Sequence, residues 1–228
     1  MINQERLLNE FLELVQIDSE TKNEGNIAKV LTEKLTAMGL TVEEDDAGEK
    51  TGHGAGNLFA TLKGNAPGPR ILFSCHMDTV VPGNGIKPSI KDGYVVSDGT
   101  TILGADDKAG IAAIFEALRV IKEKNLSHPD IQFVITTGEE SGLVGSRHMD
   151  ASKLSADIGF ILDSHGKVGE VVVAGAGQYR LYTKIYGKAA HAGVNPEDGV
   201  SAITVASKAI SRMPLGRIDE DTTANVGR

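Results

Sequence analysis

The sequence holds 228 residues, 40% hydrophobic and 24% charged, with a formal net charge of −8. That is enough chain for one large domain, or one and part of another, of ordinary soluble composition. No run of lysines and arginines exists and aromatics are only 4%, which excludes the electrostatic and stacking footprint of a nucleic-acid binder.

The lone cysteine, Cys75, excludes an internal disulfide. The N-terminus shows no basic region followed by an apolar one, and no stretch approaches a membrane span. These features predict a cytoplasmic protein without a membrane partner.

The elements follow in order. Leu7, Leu8, Phe11, Leu14 and Val15 recur at helical spacing, and a second helix is predicted from about Gly25 to Met38. Runs with strand character cover Asn57 to Leu62, Arg70 to Ser74, Ile131 to Thr136, Ile158 to Leu162 and Gly169 to Val173. The Gly52 to Gly56 stretch ahead of the first of them reads as a flexible loop, not a dinucleotide fingerprint. A long helix spans Lys108 to Lys122 through Ile111, Ile114, Phe115, Leu118 and Ile121. Interleaved strands and helices predict an α/β sheet, largely parallel and covered on both faces. After Gly175-Ala176-Gly177 the texture changes. Gln178 to Tyr186 alternates like a strand, a helix starts near Gly199, and Thr222 to Val226 reads as one more strand. The expected division is therefore 1–176 for the first domain and 177–228 for a smaller α+β domain.

Ligands in open α/β sheets gather beyond the carboxyl ends of the strands. Read this way, four strand ends carry polar groups. Ile71 to Asp78 ends in His-x-Asp, and residues two apart share a face, so Asp78 can lie beside His76 and fix its tautomer. Gly104-Ala105-Asp106-Asp107-Lys108 opens the long helix; one aspartate there is explained by capping, whereas two adjacent ones ask for a further role. Glu139 and Glu140 follow a buried strand between glycines, where two neighbouring carboxylates call for a cation or a raised pKa. Asp163 closes the fourth strand, a position that a turn residue also fills. Together these imidazole and carboxylate donors suit zinc without any thiolate.

The stretches His76 to Val80, Gly104 to Gly110, Thr137 to Glu140 and Leu162-Asp163 resemble, in order, those of the dizinc exopeptidases that include peptidase T and glutamate carboxypeptidase. Asp98 to Thr101 leading into Asp106 is most similar to the peptidase T branch. The resemblance implies a phosphorylase/hydrolase-like mixed sheet flanked by helices, with part of a smaller α+β lid or dimerisation domain. It implies that His76 and Asp163 bind one zinc, Glu140 the other, and Asp106 both; cobalt or manganese can substitute. It further implies that Asp78 orients His76, that Glu139 is the general base, and that the Asp106–Asp107 peptide bond is cis. His191, within Lys188 to Gly193, corresponds to a histidine that stabilises the oxyanion. The implied activity is hydrolysis of small peptides, in the manner of a tripeptide aminopeptidase, by a homodimer in the full-length form.

Carboxypeptidase action, N-acyl amino acid deacylation and a non-hydrolytic binding role stay open. Family members are longer and supply a second histidine ligand from a later segment, so the expectation is a chain with one zinc site incomplete. A Cys75–His76 nucleophile pair is excluded because neighbours in a strand face opposite ways, and no Gly-x-Ser-x-Gly elbow is present.

Overall fold

A computed structural model describes residues 1–175 and 177–227. Ala176, on which the expected domain boundary falls, and Arg228 lie outside the described residues. Contacts divide the chain into two units, Met1–His165 and Gly166–Arg228.

In the first unit, α1 (Gln4–Val15) starts at Asn3, whose side chain accepts from Arg6 N at 3.1 Å. Helix α2 (Gly25–Ala37) buries Ile27, Ala28, Leu31 and Leu35 at helical spacing. Then come β1 (Thr41–Glu44), α3 (Ala47–Thr51), β2 (Leu58–Leu62) and β3 (Ile71–His76). A small hairpin of β4 (Ser89–Lys91) and β5 (Tyr94–Val96) precedes α4 (Ala105–Glu123). The unit finishes with β6 (Ile131–Thr136), α5 (Val144–Arg147) and β7 (Ile158–Ile161).

The five main strands lie in the order β1-β2-β6-β3-β7. Strand β2 runs antiparallel to both β1 and β6, whereas β6, β3 and β7 are mutually parallel. The sheet is thus mixed, as the resemblance implies, with half its pairings antiparallel rather than the largely parallel arrangement read from the alternation of elements. Alternate residues Leu58, Ala60 and Leu62 of β2 and Ile131, Phe133 and Ile135 of β6 join the apolar stripes of α1, α2 and α4 in one core. Phe133 meets Phe115 edge-to-face at 6.2 Å. Helices α1 and α4 are clasped by Arg6 on the buried Glu116, 2.7 Å apart. On the opposite face Gln132 of β6 is held by Lys153 O and Ser155 N, at 2.8 and 2.9 Å.

The Gly52 to Gly56 loop is pinned, against the flexible reading: Gly54 N donates to Glu24 at 2.9 Å and Gly56 N to Glu44 at 2.7 Å. No helix among the described residues is long and apolar enough to cross a membrane.

In the second unit, α6 (Ala202–Ile210) is capped by Ser201, whose Oγ accepts from Thr204 N at 3.2 Å. Lys188 pairs with Val200 in an isolated bridge, and β8 (Gly216–Arg217) pairs with β9 (Thr223–Ala224), a shorter strand than read from 222–226. The runs 169–173 and 178–186 form no ladder among the described residues. Their apolar side chains stand in solvent, Val173 at 91% and Leu181 at 93% exposure. Alternation alone supplies one face of a strand; its N–H and C=O groups also need a neighbour.

Candidate metal centre

Strand β3 alternates Cys75 into the core and His76 to the other face. His76 is 2% exposed; its Nε2 lies 3.0 Å from Asp106 Oδ1 and its Nδ1 3.4 Å from Asp78 Oδ1. The second contact is too loose for a well-formed hydrogen bond, leaving Nδ1 as a buried nitrogen without one. Burial alone would push the imidazole pKa down. Asp78 and then Asp106 outweigh burial and hold it up at about 9.

Asp78 is fully buried and does more than face His76. Its Oδ1 accepts from Glu139 N at 2.9 Å, and its Oδ2 from Glu140 N at 3.2 Å and Thr21 Oγ1 at 2.8 Å. Burial would raise its pKa, but His76, Thr21 and the Glu139 amide together lower it.

Asp106 is not a helix cap. Gly104 takes a left-handed φ of 68°, Asp106 and Asp107 have non-helical angles, and the bond between them is cis, as the resemblance implies. This start aims Asp106 at His76. Asp107 turns inward beside Cys75, where burial first, against the pull of the thiol and His76, raises its pKa to about 6. Burial also pushes the Cys75 thiol up, so it is no nucleophile.

Glu139 and Glu140 sit half-buried after β6. Burial raises both pKa values; His76 opposes it, while the neighbouring carboxylates add to it. The turn that carries them begins at Gly138 and is backed by His53, whose Nε2 is 3.3 Å from Ser141 Oγ and whose Nδ1 is 2.8 Å from Thr51 Oγ1. Asp163 follows β7.

Ligand atoms of His76, Asp106 and Asp163 lie within 4.8 Å of one another, as do those of His76, Glu139 and Glu140. Among the described residues no such triad contains both Asp106 and Glu140. These residues could hold a metal ion. The nearby buried lysine, Lys108, points its Nζ at Ser19 Oγ, 2.7 Å away. Converging carboxylates, among which burial raises the pKa of Glu139 and Glu140, form with the imidazole a donor set that a divalent cation fits. His191 belongs to the second unit, where its Nδ1 accepts from Gly193 N at 3.1 Å and its amide donates to Asn195 at 3.2 Å.

Sequence reasoning passed over Thr21 and His53. Both lie in connections between elements, and their partners are 57 and 88 positions away. Neither periodicity nor a motif marks such contacts.

A family model described as Peptidase family M28 matches residues 57–195, and one described as Peptidase dimerisation domain matches 173–228. The aminopeptidase PepT of Bacillus cereus, a solved structure, is 62% identical with a TM-score of 0.83, covering 100% of this chain and 61% of that one. A tripeptidase structure from Staphylococcus aureus is 51% identical with a TM-score of 0.89, again covering 100% and 61%. Peptidase T of Clostridium perfringens is 30% identical over 95% of this chain and 62% of its own length. The chain thus spans about 62% of the length of the curated relatives it matches.

Proposed function

Since the chain belongs to peptidase family M28, we propose that it forms the metal-holding part of a metallopeptidase that hydrolyses short peptides, acting as an aminopeptidase on tripeptides. The names of the similar aminopeptidase and tripeptidase support that substrate class. The observation that carries the reading is the convergence of His76, Asp106, Glu139, Glu140 and Asp163, from three strand ends and the start of α4, around the buried carboxylate of Asp78.

His76, Asp106, Asp163 and Glu140 would hold the metal, with room in the donor count for two ions. Imidazole and carboxylate donors without thiolate favour zinc, with cobalt or manganese as substitutes. When bound, such a metal supplies Lewis-acid polarisation of the scissile carbonyl and makes water more acidic. Glu139 is the general base: one carboxylate oxygen takes the proton of the attacking water and later delivers it to the departing amine. Asp78 faces His76 Nδ1 at 3.4 Å; its orienting of that ring, like the stabilising of the oxyanion by His191, is a role that rests on the resemblance. The second unit serves as lid and dimerisation domain, supported by the match over 173–228. The longer protein is a homodimer, and the lone buried cysteine of these 228 residues fits a cytoplasmic location.

The test joins metal binding with turnover. Glu139→Gln is expected to bind zinc as the wild type does by calorimetry, and to lose about 10²- to 10⁴-fold in tripeptide hydrolysis. His76→Ala is expected to lose the tight zinc site itself. Turnover that survives Glu139→Gln sinks the mechanism, and wild-type zinc affinity in His76→Ala sinks the site.

A further inference from the structure

The connection between α1 and α2 carries no residue assigned to the metal centre, yet it touches two of the elements that build it. Ser19 is 1% exposed, and its Oγ accepts from Lys108 Nζ at 2.7 Å, two residues past Asp106. Thr79 N donates to Ser19 O at 3.0 Å and Thr21 N to Thr79 O at 3.1 Å, so the connection runs alongside the continuation of β3. The side chain of Thr21 then reaches inward, and its Oγ1 donates to Asp78 Oδ2 at 2.8 Å.

What that hydroxyl does follows from the geometry of Asp78. The carboxylate serves two clients: the imidazole of His76 on one side and the amides of Glu139 and Glu140 on the other. Its terminal torsion is intrinsically broad, so its plane is set by whichever donors surround it. Two well-formed bonds do most of that setting, Glu139 N on Oδ1 at 2.9 Å and Thr21 Oγ1 on Oδ2 at 2.8 Å. Remove the hydroxyl and Oδ2 keeps only Glu140 N at 3.2 Å.

We propose that Thr21 is a positioning residue of the metal centre: its hydroxyl locks the plane of the Asp78 carboxylate, and thereby the relation between His76 and the Glu139–Glu140 turn. This rests on the metal-centre reading above. Partners of metal ligands typically matter about 10- to 100-fold in affinity. Thr21 stands one bond further out, which places its effect near tenfold.

The experiment compares the 228-residue wild type with Thr21→Val and Thr21→Ser. Zinc affinity is read by calorimetry, and the amide signals of Glu139 and Glu140 are followed by NMR without metal. Thr21→Val is expected to weaken zinc about tenfold and to shift both amide signals, while Thr21→Ser restores both. A Thr21→Val chain with wild-type affinity and unmoved signals overturns the proposal. So does a Thr21→Ser chain that behaves like Thr21→Val, because the methyl and not the hydroxyl would then matter. Should Thr21→Val fail to fold, the Thr21 hydroxyl proton of the wild type decides: an observable, slowly exchanging signal supports the lock, and fast exchange with water overturns it. If the wild type binds no zinc, the metal-centre reading fails, while the amide and hydroxyl signals still judge the lock.

Discussion

Gly138 leads into the two glutamates with a φ of 58°, and a Cβ added there would lie 2.5 Å from His53 Nε2. Left-handed backbone and a ring in the way both demand glycine. Gly138→Ala is therefore expected to lower the unfolding free energy by about 1 to 3 kcal/mol, read from urea melts; an unchanged melt would show that the turn relaxes freely. At this scale the sequence was informative where chemistry clusters at strand ends. His76, Asp78, Glu139, Glu140 and Asp163 could be assembled from the rule that parallel strands deliver ligands at their carboxyl ends, and Asp106 from the paired aspartates that open the long helix; the structure brings them together. Thr21 and His53 could not, because a connection's path is decided by tertiary packing that no local pattern records. The same holds for the second duty of Asp78, since amide donors carry no residue identity.

Strand β7 hangs on the sheet through β3, and its start is fastened by one residue. Arg70 N and its guanidinium both bond Asp157 at 2.8 Å. That guanidinium and amide hold the Asp157 carboxyl down at about 2. A carboxyl whose folded pKa lies below its unfolded value contributes stability above about pH 4. The contribution fades as the pH falls through about 2. Arg70→Ala is expected to return the NMR-titrated pKa of Asp157 towards about 3.9; a carboxyl that stays near 2 in the variant would show that Arg70 is not its cause. Among elements, the long helix and the β6 strand were readable from periodicity and burial. Strand β1 was not, since Thr41–Glu44 has two glutamates and owes its extension to β2. The opposite error occurred at 178–186, where alternation was present and a pairing partner among the described residues was not.

The texture of the sequence changes near Gly175 to Gly177, and contacts divide the chain into Met1–His165 and Gly166–Arg228. Every residue of the core cluster lies between Leu14 and Ile135. A chain ending at His165 is accordingly expected to keep a single cooperative urea transition with the midpoint of the 228-residue chain. A lower midpoint would show that the second unit supports the first. The mixed topology followed from the resemblance but not from the alternation of elements, because strand direction is set by how connections run, not by the residues within a strand.

That topology also has a history built into it. Strands β2 and β3 are consecutive, yet they never pair, because β6 occupies the place between them. During synthesis at roughly 5–20 residues per second, the stretch from His76 to Thr136 takes about 3–12 s to emerge. For that interval two apolar strands wait with their central edges open to any other strand in the cell. The growing chain, more than the finished molecule, is the state whose open strand edges invite mispairing.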